Sequence, residues 1–307
     1  MSLAIIIADR DPSDIHQQLA RCIPDIDCQI WPNITQPERV EFAVAWQAPI
    51  GLWHQYLRLK VIQSFGAGVE NLITDGSIGD NVAISRVVDQ DLAQEMASYV
   101  LSSVLMLKCR FIEFYQQQQQ QKWSGLPRHS GNKVTILGLG QLGAAVAKCL
   151  MINGFDVTGW SRTEKSQTFC RHFSGVQQLP QALADCDYLI NLLPSTPETE
   201  KLVNQALLSQ LKPSACFVNA GRGATVDEQA LYQALLNKQL SFAVLDVFTQ
   251  EPLPEQNPLW QLKNVVVTPH IAAVTNPKTV IEQIVENYQR FKKQQPLLNR
   301  VERERGY

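Results

Sequence analysis

An α/β chain of two doubly wound parallel-sheet domains is what the sequence predicts, on three observations. Short, nearly uninterrupted apolar runs recur along its 307 residues, helical patterns separate them, and the series occurs twice. Strands buried on both faces read as continuous apolar runs, and their helical crossovers make the sheets parallel. The length is about twice that of a usual domain, so two domains fit it.

In chain order the predicted strands are LAIIIA at 3–8, EFAVAW at 41–46, KVIQSF at 60–65, VTILGLG at 134–140, Asp156–Trp160, DYLINLLP at 187–194, CFVNAG at 216–221, FAVLDV at 242–247 and VVVTPH at 265–270. Leu92, Met96, Val100, Val104 and Leu107 recur at helical spacing, as do Val280, Ile281, Ile284, Val285, Tyr288 and Phe291. If these two helices link the series, the first domain is discontinuous. It comprises 1–98 plus 281–307, the second comprises 99–280, and a cleft between them is expected. The glutamine run Gln116–Gln121 is expected to continue the first helix toward Trp123 as a solvated end.

Composition narrows the function classes. Lys and Arg number 27 against 29 Asp and Glu, a net charge of −2, so no global field draws in nucleic acid or an anionic membrane. No apolar run approaches the length of a membrane span, and the N-terminus reads as a first strand, not a signal peptide. Seven scattered cysteines without Cys-x-x-Cys or zinc-ligand spacing point to reduced thiols, a cytoplasmic location and no metal site.

The strand ending at Leu137 runs directly into Gly138-Leu139-Gly140-Gln141-Leu142-Gly143 and then an apolar helix. A tight turn, a close backbone approach and close helix-to-strand packing are the three tasks glycine serves in such a loop. The helix start then faces a dinucleotide pyrophosphate. At the end of the next strand, where an NAD site carries Asp or Glu, stand Ser161, Arg162 and Thr163, with Lys165 beyond. A carboxylate repels a 2′-phosphate, whereas hydroxyls and a guanidinium bind it, so NADP is predicted over NAD.

Three further segments complete a pattern: Val218-Asn219-Ala220-Gly221-Arg222-Gly223, Asp246 through Pro254, and Thr268-Pro269-His270-Ile271-Ala272-Ala273. Together with the glycine loop they resemble the D-isomer-specific 2-hydroxyacid dehydrogenase family over essentially the whole chain. Within it the chain is most similar to the glyoxylate/hydroxypyruvate reductase A group, through Trp46, the Ser-Arg signature, the His-Ile-Ala-Ala form and the terminal Glu302-Arg303-Glu304-Arg305-Gly306-Tyr307. The resemblance implies a Rossmann-like cofactor domain, a flavodoxin-like substrate domain, a homodimer and NADPH-dependent reduction of small 2-keto acids. Glyoxylate would give glycolate and hydroxypyruvate D-glycerate. A dehydrogenase for a larger substrate of the phosphoglycerate type, or a cofactor-sensing corepressor-like binding protein, are the alternatives.

Side-chain chemistry assigns the parts. Arg222 supplies a bidentate fork for the keto acid, and His270, at a strand's carboxyl end, is by resemblance the proton donor. The resemblance places Glu251 beside His270, where a carboxylate favours imidazolium. It also implies that Asp246 contacts the nicotinamide carboxamide and that Leu193, Pro194, Thr199 and Ala220 line the cofactor. Gly66, Ala67 and Gly68, after the strand KVIQS, are small enough for backbone N–H groups to reach a carboxylate as an anion nest. Trp46 ends its strand where it can limit substrate size. Many family members carry Glu at the position of Ser98, which bears on local contacts more than on chemistry.

Overall fold

The computed structural model describes residues 2–8, 10–24, 26–88, 90–164, 169–274 and 277–303. The chain forms two compact units, 1–91 with 275–307, and 92–274. The sequence puts the crossings near 98 and 280, inside helices. The units instead divide near the N-terminal ends of those helices, after the second residue of the first (Gln90–Lys108) and just before the second (Pro277–Lys292). The second helix thus stays whole in the smaller unit, and all but two residues of the first lie in the larger.

The smaller unit begins β1 (Ser2–Ile7), α1 (Ser13–Cys22), β2 (Asp27–Ile30), β3 (Val40–Trp46), β4 (Val61–Ser64), α2 (Glu70–Thr74) and β5 (Ala83–Ser85). The larger follows with α3 (Gln90–Lys108), α4 (Phe111–Gln119), β6 (Lys133–Leu137), α5 (Gln141–Ile152), β7 (Asp156–Ser161) and β8 (Arg171–Ser174). It continues through α6 (Leu179–Leu183), β9 (Tyr188–Asn191), α7 (Gln205–Leu208), β10 (Cys216–Asn219), α8 (Glu228–Leu236), β11 (Phe242–Leu245) and β12 (Val265–Val267). The last helix, α9 (Pro277–Lys292), returns to the smaller unit.

In the smaller unit all strands are parallel in the order β2-β1-β3-β4-β5, with a switch point between β1 and β3. On one face Ile15 and Leu19 of α1 and Val280, Ile281, Ile284 and Tyr288 of α9 pack against Leu3, Ile5, Phe42 and Val44. On the other, Ala4, Ile6, Ala43 and Ile62 meet Trp53, Tyr56, Leu72 and Val301. A buried polar knot fixes the returning helix. Asn287 Nδ2 donates to Gln63 Oε1 on β4 and to the Leu298 carbonyl, while its Oδ1 accepts from the Leu298 amide. Ser85 of β5 completes the knot by donating to Gln63 Oε1 at 2.6 Å.

The larger unit carries seven parallel strands in the order β12-β11-β10-β9-β6-β7-β8, reversing direction between β6 and β9. α3 and α5 cover one face through Val100, Val104, Val146 and Leu150. α6, α7 and α8 cover the other through Leu183, Leu207, Leu231 and Leu235. In an open sheet of this winding, ligands bind outside the carboxyl ends of the strands at the switch point. The loops after β6, β7, β9, β10, β11 and β12 emerge there, and the described sequence-predicted residues of this unit lie in them or at the strand and helix ends that border them.

One expectation is corrected here. The helix from Leu92 does not run through the glutamines. Arg110 takes a left-handed conformation (φ 62°), breaking the helix after Lys108, and α4 starts afresh at Phe111. The Arg110 side chain holds this break by bonding Glu113 and the Pro127 carbonyl. Gln116–Gln119 close α4, and Gln120 and Gln121 lie in the turn that ends it.

Candidate active site

The glycine loop follows β6. Gly138 is left-handed (φ 101°), and a Cβ there would press on the Leu192 carbonyl, so only glycine fits. A Cβ at Gly143 would overlap the Gly138 carbonyl oxygen, which explains close helix-to-strand packing. Gly140 is different. Its φ of −75° suits any residue, and a Cβ would meet nothing within 4 Å. Neither packing nor backbone strain within the chain requires glycine there, whereas a phosphate approaching the backbone would. No side chain caps the start of α5, so its first amides face that same space. Gln141 and Leu142 supply the first turn of this helix. These observations fit a dinucleotide cofactor, with the pyrophosphate at the helix start.

At the end of β7, Ser161 is buried, Arg162 half-buried and Thr163 exposed. Arg162 Nη1 lies 3.1 Å from Glu198 Oε2, a partner the sequence does not suggest. Ser161 Oγ is 2.7 Å from the Thr163 carbonyl and 2.7 Å from His172 Nε2. Lys165 lies outside the described residues.

After β9, Leu193 is buried and Pro194 half-buried. Thr199 is buried, and its hydroxyl donates to the Pro194 carbonyl while accepting from the Thr196 amide. It therefore shapes the loop from inside. Asn191 ties this loop to the next one, donating to Asn219 Oδ1 and Thr225 Oγ1.

Arg222 follows β10 and the buried Ala220. The glycines flanking it are demanded by neighbouring backbone: a Cβ at Gly221 would crowd Leu193, and one at Gly223 would overlap the Phe248 peptide. The loop is thus wedged between its neighbours with the half-buried guanidinium at its apex, where Nη1 donates to the Gly221 carbonyl at 2.9 Å. Thr225 closes the turn by donating to the Arg222 carbonyl.

His270 and Glu251 meet directly. His270 Nδ1 lies 2.6 Å from Glu251 Oε2, and Glu251 Oε1 accepts the Phe248 amide at 2.9 Å. The hydrogen bond that His270 Nδ1 donates to Glu251 holds the imidazole above its ordinary pKa. Burial and the Arg222 charge oppose this, but the carboxylates of Glu251 and Asp246 reinforce it. Burial pushes Glu251 up, yet the bonds from His270 and the Phe248 amide, with the His270 and Arg222 charges, hold it below the usual carboxylate range. Both shifts favour imidazolium beside carboxylate.

Asp246 is almost fully buried and sits beneath this pair. Its Oδ1 accepts from Thr268 Oγ1 at 2.6 Å and the Ile271 amide at 2.8 Å, and its Oδ2 from the Ala272 amide at 2.9 Å. Tyr99 from α3 backs Thr268 at 2.7 Å. His270 itself is left-handed (φ 54°), and its amide reaches the Asp246 carbonyl. Asp246 thus holds the His270 loop from below. Sequence reasoning missed this function, together with Tyr99 and Thr268. Ser98, next to Tyr99, bonds back to the Gln94 carbonyl within its helix.

In the smaller unit Ser64 Oγ donates to the Gly68 carbonyl and accepts from the Gly66 amide. None of Gly66, Ala67 or Gly68 is left-handed, so the loop is not a nest of alternating hand. Gly66 is glycine for another reason: its α-carbon lies against the Trp46 ring, which any Cβ would penetrate. Ala67 and Gly68 are partly exposed beside this covered position.

A parallel sheet of this winding, a glycine loop at its switch point and a histidine–carboxylate pair beside a loop-apex arginine are the parts of a nicotinamide-dependent dehydrogenase site. The chain belongs to the D-isomer specific 2-hydroxyacid dehydrogenase family, whose NAD binding domain model matches residues 101–272. It is 39% identical over 277 residues to the glyoxylate/hydroxypyruvate reductase A of Serratia proteamaculans, covering 88% of both chains. A D-isomer specific 2-hydroxyacid dehydrogenase from Xanthobacter autotrophicus, solved with NADPH and MES, superposes with a TM-score of 0.94 at 38% identity, covering 100% of this chain and 99% of that one. The NADPH-dependent glyoxylate/hydroxypyruvate reductase of Sinorhizobium meliloti, solved with NADP and sulfate, gives 0.91 at 30% identity with full coverage of both.

Proposed function

We propose that this chain reduces small 2-keto acids with NADPH, taking glyoxylate to glycolate and hydroxypyruvate to D-glycerate. The observation that carries this reading is the His270–Glu251 pair, a proton-holding imidazole in one loop layer with Arg222. NADPH, when bound, supplies the hydride. Gly138, Gly140, Gln141, Leu142 and Gly143 hold its pyrophosphate, and Ser161, Arg162, Thr163 and Lys165 its 2′-phosphate. Leu193, Pro194, Thr199 and Ala220 line its site, and Asp246 serves its carboxamide end while holding the His270 loop.

Arg222 binds the keto acid through its fork and orients the carbonyl. His270 delivers a proton to the developing alkoxide. Glu251 occupies Nδ1, so Nε2 is the nitrogen that hands over this proton, and the neighbouring carboxylate stabilises the imidazolium beforehand. In the loop of Gly66, Ala67 and Gly68 the amides of Ala67 and Gly68 contribute to carboxylate binding while that of Gly66 bonds Ser64, and Trp46 limits the size of the substrate. The activities for which the Serratia and Sinorhizobium relatives are named agree with this reading.

The substrate part is taken to be 1–98 plus 281–307 and the cofactor part 99–280. The enzyme is read as a cytoplasmic homodimer. Supporting the dimer are exposed aromatic side chains of the kind that mark protein contacts, Phe111 and Tyr115 one turn apart on α4 and Trp123 beyond it. Among the described residues no helix is long and apolar enough to cross a membrane.

The test is NADPH oxidation, followed by absorbance, with purified protein and glyoxylate or hydroxypyruvate. Turnover that disappears in His270→Gln supports the reading. Absence of turnover with either keto acid, in a protein that binds NADPH tightly, overturns it in favour of a cofactor-sensing role.

A further inference from the structure

β7 and β8 lie side by side at one edge of the larger sheet, with Gly159 opposite His172 and Ser161 opposite Ser174. Paired residues of a parallel ladder, and residues two apart on a strand, share a face. His172, Gly159 and Ser161 therefore project to one side. At Gly159 this side is occupied by Leu139 of the glycine loop, which a Cβ would overlap. At the strand end it is occupied by the imidazole of His172, whose Nε2 reaches Ser161 Oγ at 2.7 Å.

Ser161 Oγ has a second partner at 2.7 Å, the Thr163 carbonyl. A hydroxyl owns one proton and a carbonyl only accepts. With both bonds made, Ser161 donates to Thr163 and His172 must carry its proton on Nε2 and donate to Ser161. The direction of the chain is fixed: His172 to Ser161 to Thr163. It closes the short turn that carries Arg162 between its ends, so the imidazole governs where the guanidinium leaves the strand. Nothing in the sequence pattern marks His172, which lies outside every motif.

We propose that His172 is a positioning residue for recognition of the cofactor's 2′-phosphate, acting through Ser161 on the Arg162 turn. The inference rests on the NADPH reading above. A histidine that merely packs β8 against β7 would affect every adenine ligand alike. A positioning histidine affects only ligands that carry the 2′-phosphate.

Isothermal titration of the full-length protein with 2′,5′-ADP and with ADP separates these cases. His172→Leu is expected to weaken 2′,5′-ADP by about three- to tenfold, the effect of losing one hydrogen bond, and to leave ADP unchanged. His172→Gln, whose side-chain amide can donate in place of Nε2–H, is expected to recover most of the loss. Ser161→Ala removes the middle of the chain without touching β8 and, because Ser161 also belongs to the phosphate site, is expected to weaken 2′,5′-ADP at least as much as His172→Leu. The double variant should show no loss beyond that of Ser161→Ala. Equal weakening of both ligands, unchanged 2′,5′-ADP binding in His172→Leu, or additive losses in the double variant would overturn the proposal. Arg162→Ala tests the underlying reading: if it binds 2′,5′-ADP as tightly as the native chain, the phosphate site itself is misassigned. If Arg162→Ala loses affinity and His172→Leu does not, only the role of His172 falls.

Discussion

Replacing Glu251 with Gln keeps the size and shape of the side chain beside His270 and removes its charge. The bond to Nδ1 can persist, but the two strongest influences that raise the imidazole, the charged hydrogen bond and the Glu251 charge, are gone. Burial and Arg222 remain and both lower it, with only Asp246 acting against them. His270 should therefore drop below its native pKa. A charge-assisted hydrogen bond contributes about 1.5–3 kcal/mol and a neutral one about 0.5–1.5 kcal/mol. The two side chains are 50% and 35% exposed, so solvent screening favours the low ends. The difference is about 1 kcal/mol, or roughly fivefold in kcat/KM for reduction. Reduction consumes the imidazolium proton, so its rate is level below the His270 pKa and falls as pH rises through it. In Glu251→Gln that fall should begin at lower pH, and the deficit should grow from none at low pH to a plateau of about fivefold once pH exceeds the native His270 pKa. The assay is kcat/KM for glyoxylate across pH with saturating NADPH. An alkaline limb unmoved in the variant, or moved upward, would refute Glu251 as the group that keeps His270 charged.

Other outcomes follow from the same geometry. Arg222→Ala removes two charged hydrogen bonds to the keto acid and should lower kcat/KM by more than tenfold, with Arg222→Lys recovering only part because an ammonium lacks the planar fork. Arg162→Ala should raise KM for NADPH about tenfold and leave NADH unchanged, whereas Glu198→Gln, which removes the carboxylate charge that competes with the phosphate for this guanidinium, should lower KM for NADPH. Gly140→Ala should leave the melting temperature unchanged, because its Cβ meets open space, while weakening NADPH in a fluorescence titration. The His270–Glu251 pair also predicts a stability window. His270 is raised, so its contribution is complete below its ordinary 6.5 and lost as pH rises through the native value. Glu251 is lowered, so its contribution holds above its ordinary 4.5 and is lost as pH falls through the native value. Melting temperatures of the native chain and Glu251→Gln should differ most between those limits.

The central strands were legible because burial on both faces writes them as apolar runs; β1, β3, β4, β6, β7, β9, β10, β11 and β12 all fall on predicted segments. Except for β12, whose Val-Val-Val run is readable, the edge strands were not. β2 (DCQI) and β8 (RHFS) are half exposed and β5 is three residues long, so none carries an apolar run to read. The break at Arg110 left no glycine or proline in the sequence, because a side-chain clamp to Glu113 and Pro127 replaces them.

Within the site, the loops were legible from glycine spacing and strand ends, and the structure shows what each glycine avoids: Leu192 at Gly138, Phe248 at Gly223, Trp46 at Gly66. Groups that act through tertiary contacts were not legible. Tyr99 supports Thr268 from 169 residues away, Glu198 reaches Arg162 from another loop, and His172 meets Ser161 only because β8 lies beside β7. A Ser-Arg pair at a strand end gives no hint of which residue of the neighbouring strand will steer it.

A panel of NADPH and NADH oxidation rates over glyoxylate, hydroxypyruvate, pyruvate and bulkier 2-keto acids, with the glycerate product resolved by chirality, bears on the whole reading at once. Fast NADPH-linked turnover confined to the small keto acids, with D-glycerate from hydroxypyruvate, is the expected result. Preference for NADH, or faster turnover of a bulky or phosphorylated keto acid than of glyoxylate and hydroxypyruvate, would contradict it.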